Sequence, residues 1–159
     1  MGQVGRRGTA RCRLRRHQST PTARIGGRGQ RAGRRRHRRV RELERSILEE
    51  AGYRVRTAAD GRLALAALAD TPADLVVTDV EMPNCDGLEL TRAIRGQPAL
   101  TGLPVVVATS RFSDADRRLA MDAGADAYLV KGDLDRRTLL EVVGRLLGRA
   151  VQPAGGAGR

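Results

Sequence analysis

The stretch DLVVTDVEMPNCDGLEL, Asp74–Leu90, contains the change of period that decides the fold. Leu75–Val77 is a short, β-rich apolar run without polar alternation, as in a strand buried on both faces. It closes at Thr78-Asp79. Met82-Pro83-Asn84-Cys85-Asp86-Gly87 has the composition of a loop, with Asp86-Gly87 as a turn leading into the next helix, and Leu88–Gln97 follows at helical spacing. A buried strand that hands over to a helix through a polar loop is one unit of an α/β sheet.

Working outward, the unit recurs on both sides. Downstream, Pro104 opens the apolar strand Val105–Val107, and Ser113 caps a helix that ends near Ala123-Gly124. Tyr128–Val130 is a further strand, and Arg136–Leu147 an amphipathic helix. Upstream, Asp60-Gly61 makes a turn and an N-cap for a helix carrying Leu63, Leu65 and Leu68. Tyr53–Thr57 alternates like a short strand. Val40, Leu43, Ile47 and Leu48 fall at helical spacing, with Gly52 where a helix-ending glycine belongs. The alternation predicts a flavodoxin-like, doubly wound parallel sheet with right-handed crossovers. The count is unbalanced, however. It yields four strands and five helices, and the sheet opens on a helix where a buried first strand belongs.

The formal charge of +12 is unevenly spread. Residues 1–40 carry 14 of the 30 basic residues and none of the 18 acidic ones, which leaves 16 basic against 18 acidic from Arg41 onward. Residues 1–39 therefore read as a basic, low-complexity, disordered segment, residues 40–150 as the folded domain, and 151–159 as a flexible tail. Gly27-x-Gly29 has the look of a phosphate-loop fragment, but in this reading no strand precedes it. The arginines allow nucleic acid to bind by charge alone, yet no aromatic residue is interleaved for base stacking. No window approaches the ~18 consecutive apolar residues of a membrane helix. Cys12 and Cys85 make neither a disulfide framework nor a metal-site spacing, so Cys85 reads as a loop thiol and the expected compartment is cytoplasmic.

Ligands of open α/β sheets bind beyond the carboxyl ends of the strands. Asp79, Thr109 and Lys131 stand at three such ends. Strands lie ~4.8 Å apart, so a lysine two strands from an aspartate is within reach of its four-carbon stem. A carboxylate, a hydroxyl and an ammonium in one crevice suit a phosphoryl group. The carboxylate attacks phosphorus, and the other two hold the equatorial oxygens where negative charge accumulates.

These residues resemble a known family. DLVVTDVEMPNCDGLEL is similar to the phosphoacceptor strand and loop of bacterial response-regulator receiver domains, PVVVATS to their fourth strand, and AGADAYLVK to their fifth. The resemblance runs from about Val40 to Leu147. It implies that Asp79 is the phosphorylated aspartate, Lys131 the lysine that contacts the phosphoryl group, Thr109 the switch hydroxyl and Tyr128 the switch aromatic. It implies Mg²⁺, held by Asp79 and by the main-chain carbonyl of Glu81. It also implies a histidine kinase or histidine-phosphotransfer domain as donor, and a downstream protein target. VRELERSILEEAGY and DRRTLLEVVGRLLG most resemble the receiver at the C-terminus of chemotaxis-type hybrid histidine kinases, with a stand-alone chemotaxis regulator as the close alternative.

Two departures stand out. Gly132 follows Lys131 where many receivers have proline. Receivers also open on an apolar strand ending in two carboxylates that hold Mg²⁺, whereas Arg34-Arg35-Arg36-His37 precedes Val40. Arginine cannot ligate Mg²⁺. The first strand is therefore expected to be missing or degenerate. Read one base later, GC-rich codons for Arg31–Arg36 permit Val-Leu-Val-Val-Asp-Asp, so a frameshifted N-terminus is one explanation. The expected function is phosphorelay reception, with no chemistry beyond self-phosphorylation and self-dephosphorylation at Asp79. The alternatives are a pseudo-receiver acting by phosphate-independent contacts, or a basic-tailed nucleic-acid-binding adaptor. A metabolic α/β enzyme is disfavoured, since no cofactor fingerprint or nucleophile–base pair is visible.

Overall fold

A computed structural model describes residues 22–26, 34–82, 84–110 and 113–148 of the chain, with side chains from Arg41 onward. Five strands and five helices alternate among the described residues: β1 (Thr22–Gly26), α1 (Arg34–Glu50), β2 (Arg54–Ala58), α2 (Gly61–Asp70), β3 (Leu75–Thr78), α3 (Gly87–Arg95), β4 (Val105–Thr109), α4 (Asp114–Asp122), β5 (Ala127–Val130) and α5 (Arg136–Leu146). The strands form one parallel sheet in the order β2-β1-β3-β4-β5. This is the expected doubly wound architecture.

The first strand is not missing. The sequence reading left its place empty, and Thr22–Gly26 fills it, pairing with β2 from Thr22↔Arg54 to Gly26↔Ala58 and with β3 from Ala23↔Leu75 to Gly26↔Thr78. The frame-shifted reading put the strand at Arg31–Arg36. Here Arg34–Arg36 instead form the first turn of α1. The expected disorder over residues 1–39 is thus corrected at β1 and over 34–39, while the rest of that segment, with Gly27-x-Gly29, and the tail at 151–159 lie outside the described residues. The physical reason is backbone demand. A slot between two parallel strands presents unpaired N–H and C=O groups on both sides, each costing ~1–3 kcal/mol if buried unmade. Any extended segment that reaches the slot satisfies them, whatever its side chains. TARIG does so with Arg24 opposite Arg56 and Val76 in register.

The rest of the sheet is built on side chains. Every residue of β3 and β4 is buried, and their alternation sends successive side chains to opposite faces. Leu75 and Val77 pack with Ile47 and Leu48 of α1 and Leu139 and Val143 of α5. Val76 and Val105 pack with Leu68 of α2 and Leu90 and Ile94 of α3. At the amino edge, Arg95 ties α3 to the sheet by donating to the carbonyls of Gly124, Thr101 and Leu103 and to the Asp126 carboxylate.

Two leucines depart from the helical faces read from the sequence. Leu43 and Leu63 are about half exposed, and the residues that follow them, Glu44 and Ala64, are buried instead. At ~100° per residue, Glu44 falls between Ile47 and Leu48 on the arc facing the sheet, while Leu43 falls at its flank. Sequence spacing admits both residues as neighbours of Ile47 and Leu48; packing decides between them.

Candidate functional site

The carboxyl edge of the sheet collects the residues expected to act. Asp79 follows the last residue of β3 and is 5% exposed. Thr109 is the last residue of β4 and fully buried. Lys131 follows β5, where its backbone N–H donates to the Thr109 carbonyl at 2.7 Å and continues the ladder by one residue. Its Nζ donates to Asp79 Oδ2 at 2.5 Å, with both side chains about 95% buried. The other carboxylate oxygen of Asp79, Oδ1, accepts the backbone N–H of Glu81 at 3.0 Å. The carboxylate is thus held at both oxygens, with an ammonium on one.

The loop after β3 is fixed from two sides. Asp86 is the N-cap of α3 in a full capping box: its side chain accepts from Leu88 and Glu89 N–H, and Glu89 accepts from Asp86 N–H. Gly87 lets this helix start approach the end of β3 closely, because a Cβ there would stand 2.2 Å from the Asp79 carbonyl oxygen. Across the loop, Asn84 donates to Asp60, the N-cap of α2, and Gly61 N–H donates to the Cys85 carbonyl. The Leu63 N–H and the Asn84 amide hold the Asp60 carboxyl below its ordinary range. Cys85 is a free, half-buried thiol pushed up by burial. Tyr128, in β5, packs half-buried against Val107, Ala120 and Ala125, and burial raises its phenol.

The residues present do not supply the usual Mg²⁺ site. Mg²⁺ demands an octahedron of oxygens, commonly from one or two carboxylates and waters. No acidic residue precedes Glu42 in the sequence. Among the described residues no group of three His, Cys, Asp or Glu is arranged to hold a metal. Asp79 Oδ2 is already engaged by Lys131.

The interior of α1 buries a carboxyl that the sequence spacing does not single out. Glu44 is 1% exposed, and its Oε1 is buried without a hydrogen-bond partner. Burial pushes its carboxyl up to about 7, against the pull of Lys131 and with the push of Asp79. The helical wheel of α1 held the signal, since Glu44 lies inside the apolar arc.

The response regulator receiver domain family matches residues 36–144. The chain belongs to that family. It is 40% identical over 107 residues to the gliding motility regulatory protein of Myxococcus xanthus, covering 67% of this chain and 14% of that protein. It is 44% identical over 123 residues to the response regulator MprA of Mycolicibacterium vanbaalenii, covering 76% of this chain and 51% of that one. The receiver therefore spans about half or less of these relatives' own length. Among solved structures, the receiver domain of sensor histidine kinase PA1611 from Pseudomonas aeruginosa matches with a TM-score of 0.70 and 25% identity, over 82% of this chain and 99% of that one. That domain holds a magnesium ion in its active-site cleft. No helix among the described residues of this receiver is long and apolar enough to cross a membrane.

Proposed function

We propose that this receiver accepts a phosphoryl group on Asp79 from a histidine kinase or histidine-phosphotransfer domain and signals to a downstream protein in the cytoplasm. The supporting observation is the buried Lys131–Asp79 pair, 2.5 Å apart, beside the buried end of β4 at Thr109. An Asp79 carboxylate oxygen attacks phosphorus, the bond from phosphorus to the donor breaks, and its electron pair leaves with the donor. The Lys131 ammonium moves from carboxylate to phosphoryl oxygen, and the Thr109 hydroxyl turns to another. Tyr128, packed beside α4, passes the change to the surface. The acidic pair that would seat Mg²⁺ beside Asp79 has no counterpart in the sequence before Glu42. The motif resemblance favours a chemotaxis-type hybrid kinase as the parent system.

Acetyl phosphate treatment should give a hydroxylamine-sensitive label on the wild-type chain and none on Asp79→Asn. A label retained by Asp79→Asn would sink the assignment. A second reading, a pseudo-receiver working by phosphate-independent contacts, draws on the absence of acidic residues before Glu42. A wild-type chain that takes no label yet binds its partner unchanged would establish it instead.

A further inference from the structure

Two loops meet at the carboxyl edge, one after β2 and one after β3, and polar groups join them. Asn84 Nδ2 donates to Asp60 Oδ2 at 3.0 Å, while Asp60 Oδ1 accepts the Leu63 N–H at 2.9 Å as the N-cap of α2. Beside this contact the Gly61 N–H donates to the Cys85 carbonyl at 3.2 Å. The two loops are so close there that a Cβ on Gly61 would stand 2.5 Å from Cys85 Sγ and 2.9 Å from the Cys85 carbonyl oxygen. Asn84 holds a φ of 64°, in the left-handed region that residues other than glycine seldom enter. A residue kept in that region needs surroundings that hold it there, and the Asp60 carboxylate supplies a fixed partner for its side chain.

The loop held in this way is the one that orients Asp79. The Glu81 N–H donates to Asp79 Oδ1 at 3.0 Å, and the Met82 and Gly87 N–H groups donate to the Val80 carbonyl at 3.1 and 3.4 Å. Lys131 fixes the other carboxylate oxygen, Oδ2. The plane of the carboxylate is therefore set by one side chain and one loop amide. In-line attack on phosphorus depends steeply on that orientation, since a misplacement of ~1 Å can slow a reaction ~100-fold.

We propose that Asn84 and Asp60 are positioning residues of the phosphoacceptor site. Their hydrogen bond fastens the loop after β3 to the start of α2, so that the Glu81 N–H stays on Asp79 Oδ1 and the carboxylate keeps the orientation from which it attacks. The assignment rests on the reading of Asp79 as the phosphoacceptor. Both residues act through the loop rather than on the phosphoryl group.

The test compares the full chain with Asn84→Asp and with the exchange Asp60→Asn/Asn84→Asp. The single substitution removes the donor and sets two carboxylates against each other. The exchange restores a donor and an acceptor in reversed order, and asparagine caps a helix as well as aspartate does. Labelling by acetyl phosphate should slow by about ten- to a hundredfold in Asn84→Asp and return to near the wild-type rate in the exchange. The Glu81 amide resonance, which a role confined to stability would not move in a folded chain, should shift in Asn84→Asp and shift back in the exchange. Unchanged labelling in Asn84→Asp, a loss that the exchange does not rescue, or an unmoved Glu81 amide overturns the inference and leaves the phosphoacceptor reading standing. If Asn84→Asp fails to fold, Asn84→Gly deletes the amide while allowing the left-handed backbone, and its labelling rate and Glu81 resonance decide by the same criteria. A wild-type chain that takes no label defeats the phosphoacceptor reading and this inference with it.

Discussion

The two sides of the carboxyl edge of this sheet are filled by different means. From β3 to β5, apolar strands deliver Asp79, Thr109 and Lys131 to their ends, and backbone and side chains agree on where each belongs. At β1 the backbone is paired in register on both sides, yet the strand is TARIG, the helix after it opens on arginines, and the interior of that helix buries the carboxyl of Glu44. The pairing demand of a parallel sheet and the chemistry of its edge are therefore separable. A central strand can be supplied by a segment that contributes no ligand, because ladder hydrogen bonds do not consult side chains. What is lost is the acidic pair.

The largest effect is expected from disrupting the pairing of β1 itself. Ile25 stands opposite Thr57 on one side and Val77 on the other. Ile25→Pro removes a ladder donor from a strand paired on both sides, so a loss on the order of 3 kcal/mol or more is expected. Domains of this size hold only ~5–15 kcal/mol in all. The measurement is the urea midpoint. An unchanged midpoint would mean that Thr22–Gly26 does not hold the slot.

Next in size is the pH dependence that Glu44 imposes. Its carboxyl ionises near 4.5, the ordinary carboxylate value, when unfolded and at about 7 when folded. Below 4.5 both states are protonated and the group is neutral in the balance. Between 4.5 and 7 only the folded state keeps the proton, so stability falls as pH rises through that window. Above 7 the full penalty, about 3 kcal/mol, is present. Glu44→Gln should flatten this profile in denaturant melts across the window. A wild-type profile no steeper than that of the variant would show that the carboxyl is not buried as described.

A smaller effect is expected at the start of α3. Gly87→Ala places a methyl where the Asp79 carbonyl oxygen and Thr78 Oγ1 already lie, at 2.2 and 3.1 Å. Relieving it must move α3 or β3, at ~1–3 kcal/mol, and should slow the proposed labelling of Asp79 more than the stability loss explains. Equal stability and equal labelling would show that the close approach does not constrain the site.

Read alone, the sequence determined much of this protein. The apolar runs at Leu75–Val77 and Val105–Val107, each ending in a polar residue, carried the sheet, the crossovers and the carboxyl-edge location of Asp79, Thr109 and Lys131, because burial on both faces leaves a local trace in composition. Two features were decided only by the tertiary structure. Thr22–Gly26 has no strand signature of its own; its conformation comes from the unpaired edges of β2 and β3, which lie about thirty and fifty residues further along the chain. Glu44 and Leu43 are adjacent on a helix whose spacing admits either at the core, and which of them turns inward depends on how α1 is rotated against the sheet. Local pattern records what each segment prefers, whereas the partner that satisfies a backbone and the rotation of a helix are properties of the assembled fold.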